Sequence, residues 1–205
     1  MAVLGGSPYS YFRYESHLAA EKALVVYDEI CDAFEKRFDR KYDAVESYRT
    51  HDAEYIFFMM GCFATKAKAA IDSLRQAGWK IGLLRPRLFR PYPAENIRRL
   101  LAGKKGVAVI DQNLSIGKGG ILYSELTSVL YGHHDAPAIL ASFIGGLGGR
   151  DISQEEFFEI AKCIKQAAGQ GVIPAPRLLY TVDELRQIHK LQAIAHIERE
   201  ELNKS

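Results

Sequence analysis

The chain has 205 residues, enough for one ordinary domain with extensions. A 48% hydrophobic and 25% charged composition excludes a disordered chain, and a formal net charge of +2 leaves no electrostatic footprint for nucleic acid or an anionic membrane. Cys31, Cys62 and Cys163 stand far apart with no C-x-x-C pair. Their spacing argues against an iron–sulfur or zinc site built from this chain alone, and they read as small buried hydrophobes in a reducing compartment.

The stretch Met1-Ala-Val-Leu-Gly-Gly-Ser-Pro8 lacks the charged and apolar regions of a signal peptide, and no apolar run approaches the roughly 20 residues of a membrane helix. A cytoplasmic location is the expectation. Residues 5–14, rich in Gly, Pro and Tyr, read as a linker arm. From about Glu15 to Arg40, Leu24, Tyr27, Ile30, Phe34 and Phe38 recur at steps of three and four, which predicts an amphipathic helix.

The rhythm then becomes strand–helix–strand. Val45 to Arg49 alternates as an edge strand would. Tyr55-Ile-Phe-Phe-Met-Met60 is a continuous apolar run, as expected of a strand covered on both faces. A helix follows from Phe63 to Ala77, then a strand within Trp79–Phe89, a helix ending near Leu101, and a strand at Val107–Ile110. A helix over Ile121–Tyr131 and a strand over Ala138–Ile144 complete the alternation. The capping boxes Ser153-Gln-Glu-Glu156 and Thr181-Val-Asp-Glu184 open two further helices, the last one surface-lying and charged at its end. This order predicts a largely parallel sheet between two helical layers, a three-layer α/β/α fold. The organisation expected is an arm and long helix over residues 1–42, an α/β domain over 43–168 and a helical extension over 169–205.

Chemistry-bearing motifs cluster where strands should end. Gly117-Lys-Gly-Gly120 lies between a strand and a helix, so Gly117, Gly119 and Gly120 could free backbone N–H groups for an anion, although the spacing is not G-x-G-x-x-G. Gly145-Gly-Leu-Gly-Gly149 also follows a strand. It makes Gly146, Gly148 and Gly149 anion-loop candidates, with a tight turn as the simpler reading. In Arg85-Pro-Arg-Leu-Phe-Arg-Pro-Tyr-Pro93 the prolines stiffen a ribbon on which Arg85, Arg87 and Arg90 could fork onto carboxylates or phosphates. Metal ligands are not expected of His133-His134 or of His189 and His196, and no catalytic triad or general base stands out.

Four segments in register resemble the alpha subunits of 2-oxoacid:ferredoxin oxidoreductases, the pyruvate branch in particular. They are Tyr11-Phe-Arg-Tyr-Glu15, Ile81-Gly-Leu-Leu-Arg-Pro-Arg-Leu-Phe-Arg-Pro-Tyr-Pro93, Val109-Ile-Asp-Gln-Asn-Leu-Ser-Ile-Gly-Lys-Gly-Gly120 and Phe143-Ile-Gly-Gly-Leu-Gly-Gly-Arg-Asp151. The resemblance spans roughly Ser10 to Gln166. It implies a domain similar to the transketolase C-terminal domain, with five strands, the first an antiparallel edge. It also implies a complex that converts pyruvate and coenzyme A to acetyl-CoA and carbon dioxide and reduces ferredoxin, using thiamine diphosphate, magnesium and iron–sulfur clusters. Other subunits (beta, gamma, delta) would be the partners. The glutamate, metal–diphosphate motif and cluster cysteines of such enzymes have no counterpart in this sequence, so no cofactor is expected on this chain alone and no catalytic residue is assigned. Arg85, Arg87, Arg90, Asp111, Asn113 and Arg150 are the candidates to contact substrate or a subunit interface. Two other readings remain open: a stand-alone nucleotide- or coenzyme-A-binding module using Gly117–Gly120, and the equivalent domain of a transketolase or 2-oxoacid dehydrogenase.

Overall fold

In a computed structural model that describes residues 5–202, the apolar runs pair side by side as a single sheet. The strands β1 (Val45–Tyr48), β2 (Tyr55–Met59), β3 (Ile81–Pro86), β4 (Gly106–Asp111), β5 (Ile139–Ile144) and β6 (Arg177–Leu178) lie in the order β1-β3-β2-β4-β5-β6. β1 is antiparallel to β3 at one edge, as expected, and every other pairing is parallel. A sixth strand enlarges the five-stranded expectation. β6 is only two residues long, and a segment that short carries no alternation from which it could be read.

Strand alternation sends side chains to two separate cores. Phe57, Met59, Leu83, Ala108, Ile110 and Phe143 face α2 (Ala64–Gln76) and α5 (Gln154–Gln170), where Ile71, Leu74, Phe157 and Ile160 are buried. Ile56, Phe58, Leu84, Val107 and Val109 face α3 (Ala94–Leu101) and α4 (Ile121–Leu130), through Ile97, Leu101, Leu122 and Leu126. The three layers are therefore α2/α5, sheet, α3/α4. At Ser153 the capping box forms as read: the hydroxyl accepts from Glu156 N at 3.2 Å, and Glu156 Oε2 accepts from Ser153 N at 2.8 Å. Thr181 and Glu184 make the same reciprocal pair ahead of α6 (Val182–Leu202).

Two expectations change. The arm read over residues 5–14 is helical from Ser7, so α1 spans Ser7–Phe38. Pro8 sits in the first turn, where its missing N–H has no helical partner to lose. The predicted apolar stripe also divides: Leu24, Tyr27 and Phe34 are half-buried toward the α/β body, whereas Ile30 and Phe38 are exposed. Nothing in α1 or α6 is fully buried. Cys62 is exposed, against the reading of all three cysteines as buried; it follows β2 in a loop rather than an element, while Cys31 and Cys163 are half-buried.

Candidate functional site at the sheet switch point

The chain runs from β2 outward to β3 on one side, then crosses back to β4 on the other. Loops leaving the carboxyl ends of β2 and β4 therefore diverge, and the gap between them is the crevice where open α/β sheets bind ligands. A cleft of about 360 Å³ occupies that position. Met60, Gly61, Phe89, Ile110 to Asn113, Ile121 and Leu122 line it. The lining is mostly apolar, with a short polar strip of Asp111, Gln112 and Asn113 on its β4 side.

Asp111 ends β4 and is buried. Its Oδ1 accepts from Leu122 N at 2.8 Å and its Oδ2 from Tyr123 N at 3.1 Å. The carboxylate thus caps α4 from the neighbouring strand, satisfying N–H groups that have no intrahelical acceptor. Burial pushes the Asp111 carboxyl above the usual range, outweighing the two backbone hydrogen bonds that favour the charged form. Asn113 Oδ1 lies 3.4 Å from Ile121 N. The donors an anion would seek at the start of α4 are already engaged by the chain's own side chains.

This explains the first glycine cluster. A Cβ at Gly120 would stand 2.0 Å from Asp111 Oδ2, so only glycine lets the carboxylate reach the helix. Gly117 and Gly119 hold φ of 83° and 103° in a small closed turn, where Ser115 and Gly119 exchange two backbone hydrogen bonds. That turn directs its N–H groups at its own carbonyls.

Gln112 was not a sequence candidate, yet it bridges the crevice. Its Nε2 donates to Met60 O at 2.7 Å, and a Cβ at Gly61 would meet the same nitrogen at 2.8 Å. From the other side, a Cβ at Gly146 would strike the Phe63 ring at 2.7 Å and lie 3.5 Å from Gln112 Cγ. The loop after β5 is therefore close-packed against the β2 loop. Gly148 and Gly149 carry positive φ in its short turn. The only signal in the sequence was the glycines themselves, which say that something comes close without saying what.

The arginine ribbon splits. Arg85 and Arg87 turn to the β1 edge and share Glu46, at 3.5 and 3.0 Å, together with Lys68 of α2. Burial alone would raise the Glu46 carboxyl, but Lys68, Arg87 and Arg85 outweigh it and hold it below the usual range. Arg90 goes the other way, beside the cleft residue Phe89, and pairs with Glu125 of α4 at 2.7 Å. Nearby, burial raises the Tyr92 phenol, whose oxygen has no hydrogen-bond partner among the described residues. Arg150 is a clamp rather than a free cation: it donates to Glu156 of α5 and Glu184 of α6 and to the Asp151 carbonyl. The Arg150 guanidinium holds Glu184 down to about 2. Of the predicted residues, Asp111 and Asn113 line the cleft, and Arg90 lies over the ring of its lining residue Phe89; Gly120 packs on Asp111 and Gly146 on Phe63. Arg85, Arg87 and Arg150 stand elsewhere.

No group of three or more His, Cys, Asp or Glu that could hold a metal ion exists among the described residues, and no helix among them is long and apolar enough to cross a membrane.

Residues 53–157, about half the chain, match the family described as pyruvate:ferredoxin oxidoreductase core domain II. Pyruvate synthase subunit PorA of Pyrococcus abyssi is 38% identical over 164 residues, covering 80% of this chain and 41% of the relative. The PorA subunit of Thermotoga maritima is 39% identical over 155 residues, 76% of this chain and 38% of its own length. Ketoisovalerate oxidoreductase subunit VorA of Pyrococcus abyssi is 36% identical over 164 residues, 80% of this chain and 41% of its own. The chain thus spans about two fifths of the length of these curated relatives. Among solved structures, a split-gene transketolase described as an inactive beta4 tetramer is similar over 65% of this chain and 43% of its own, at TM-score 0.40 and 16% identity. By the match over residues 53–157, this chain belongs to the pyruvate:ferredoxin oxidoreductase core domain II family.

Proposed function

We propose that the chain is a non-autonomous assembly domain of the alpha subunit of a pyruvate:ferredoxin oxidoreductase. In the complete complex, thiamine diphosphate would stabilise the carbanion formed on decarboxylation of pyruvate, acetyl-CoA would be the product, and electrons would pass to ferredoxin. The observation that carries this reading is the similarity to PorA subunits across 80% of the chain. Family membership supports the oxidoreductase class.

The residues present do not fit thiamine diphosphate and its magnesium ion. A diphosphate needs donors and its metal needs a carboxylate set. The described residues contain no such metal cluster, and Asp111 and Asn113 already accept the first N–H groups of α4. The same engagement speaks against a nucleotide or coenzyme A phosphate seated at Gly117–Gly120. The cleft walls of Met60, Phe89, Gln112 and Asn113 would instead border the substrate or coenzyme A path once other subunits (beta, gamma, delta) are docked. Arg85, Arg87 and Arg150 would stiffen the domain, with residues 43–168 as its α/β unit, 1–42 as the leading helix and 169–205 as the trailing one. A cytoplasmic complex accords with this reading.

One observation favours a second substrate. VorA subunits are 36–37% identical over 80% of the chain, so a branched 2-oxoacid stands close behind pyruvate. Comparing the two acids in a reconstituted complex separates the readings. For the assembly role, titration calorimetry of the isolated chain with thiamine diphosphate and magnesium should show no heat of binding. Tight binding would overturn it.

A further inference from the structure

The longest helix leaves one face without an occupant. Along α1, Ser16, Ala19, Ala23, Val26, Ile30 and Ala33 follow one another at alternating steps of three and four residues, and all are exposed. This row lies about a quarter turn around the helix from Leu24, Tyr27, Cys31 and Phe34, the half-buried side chains turned to the body. Alternating steps of three and four, kept here for about two and a half heptads on mostly small residues with charges flanking them, have the geometry of a close-packed helix–helix seam.

The charges beside that seam identify the partner. Glu15, Lys22, Glu29 and Lys36 recur every seven residues with alternating sign, all exposed and with no ion pair among the described residues. In a parallel pair this row would face the opposite flank, where Ala20, Tyr27 and Phe34 offer no charge to match it. In an antiparallel pair, rows of this kind face each other. Pairing Lys22 with Glu29 of a second copy brings Glu15 opposite Lys36, and symmetry repeats both contacts. The same register sets Ile30 against Ala19 and Val26 against Ala23, large against small, as interdigitated helices require. Sequence spacing and exposure thus select one orientation and one register together.

We infer that α1 is a homodimerisation helix, pairing antiparallel with α1 of a second copy of this chain. The inference stands apart from the assignment of substrate and of other subunits, since it uses only this helix.

Sedimentation velocity over a concentration series tests it on the 205-residue chain. The unaltered chain should form a dimer. Changing Lys22→Glu and Lys36→Glu makes the row wholly acidic, converting four attractions into repulsions. At roughly 0.3–0.5 kcal/mol per pair in each sense, the dissociation constant should rise at least about tenfold. Adding Glu15→Lys and Glu29→Lys restores alternation with every sign reversed and should recover the dimer. Far-ultraviolet circular dichroism and thermal unfolding confirm that each variant keeps its fold. A chain monomeric throughout, a dimer indifferent to the acidic row, or a full swap that stays monomeric while folded would each overturn the inference.

Discussion

Replacing Gly120 by alanine isolates one contact. The backbone there, at φ −69° and ψ 137°, suits any residue, so the substitution carries no conformational penalty of its own. Its whole effect is the added methyl, placed 2.0 Å from Asp111 Oδ2 and 2.5 Å from Asp111 Cγ. Asp111 sits at the end of a buried strand and cannot retreat without leaving Leu122 N and Tyr123 N. Two hydrogen bonds to a charged acceptor, together with an unpaired buried carboxyl, amount to about 2–4 kcal/mol. Equilibrium denaturation should show that loss for Gly120→Ala and a similar one for Asp111→Ala. The double variant should cost little more than either alone, because the methyl then fills space the carboxylate has left. By contrast, Gly117→Ala meets no atom within 4 Å but must hold φ 83°, which costs about 1 kcal/mol. A loss below about 0.5 kcal/mol for Gly120→Ala, or strict additivity with Asp111→Ala, would refute this account of the loop.

Burial raises Asp111, so its contribution is full below the ordinary carboxyl pKa and is lost as pH rises through its higher folded value. The stability gap between the native chain and Asp111→Asn should therefore be larger at acid than at neutral pH, measured by denaturant titration at both. Glu184 behaves oppositely. Held at about 2 by Arg150, it contributes above its ordinary pKa and loses that contribution as pH falls toward 2. The stability gap between the native chain and Glu184→Gln should shrink over that window and would be flat if the Arg150 clamp were incidental. Phe57→Ala, in the central strand against Phe157, should cost about 3–5 kcal/mol by the same titration. Gly146→Ala should combine a positive-φ penalty with the Phe63 clash, about 2–3 kcal/mol in total.

The alternation of strands and helices was legible because short apolar runs such as Tyr55–Met60, closed by Gly61 and rich in aromatic residues, read as strands by length and flank. Capping boxes located the starts of α5 and α6 through local chemistry alone. What escaped depended on long-range contacts. Pro8 and the glycines before it read as an arm, although proline at a first turn is compatible with a helix. The arginine ribbon looked like one feature. Strand alternation and the following turn instead sent Arg85 and Arg87 to Glu46 and Arg90 to Glu125. Gly120 marked a close approach, but only the fold identifies Asp111 as the group that approaches. Gln112 gave no signal, because its role is defined by Gly61 and Gly146, far away in sequence.

The assembly role is tested most directly by pyruvate- and coenzyme-A-dependent reduction of ferredoxin, measured for this chain alone, for the remaining subunits alone, and for the mixture. Turnover is expected only in the mixture. Reduction by the chain alone, or full activity of the other subunits without it, would contradict it.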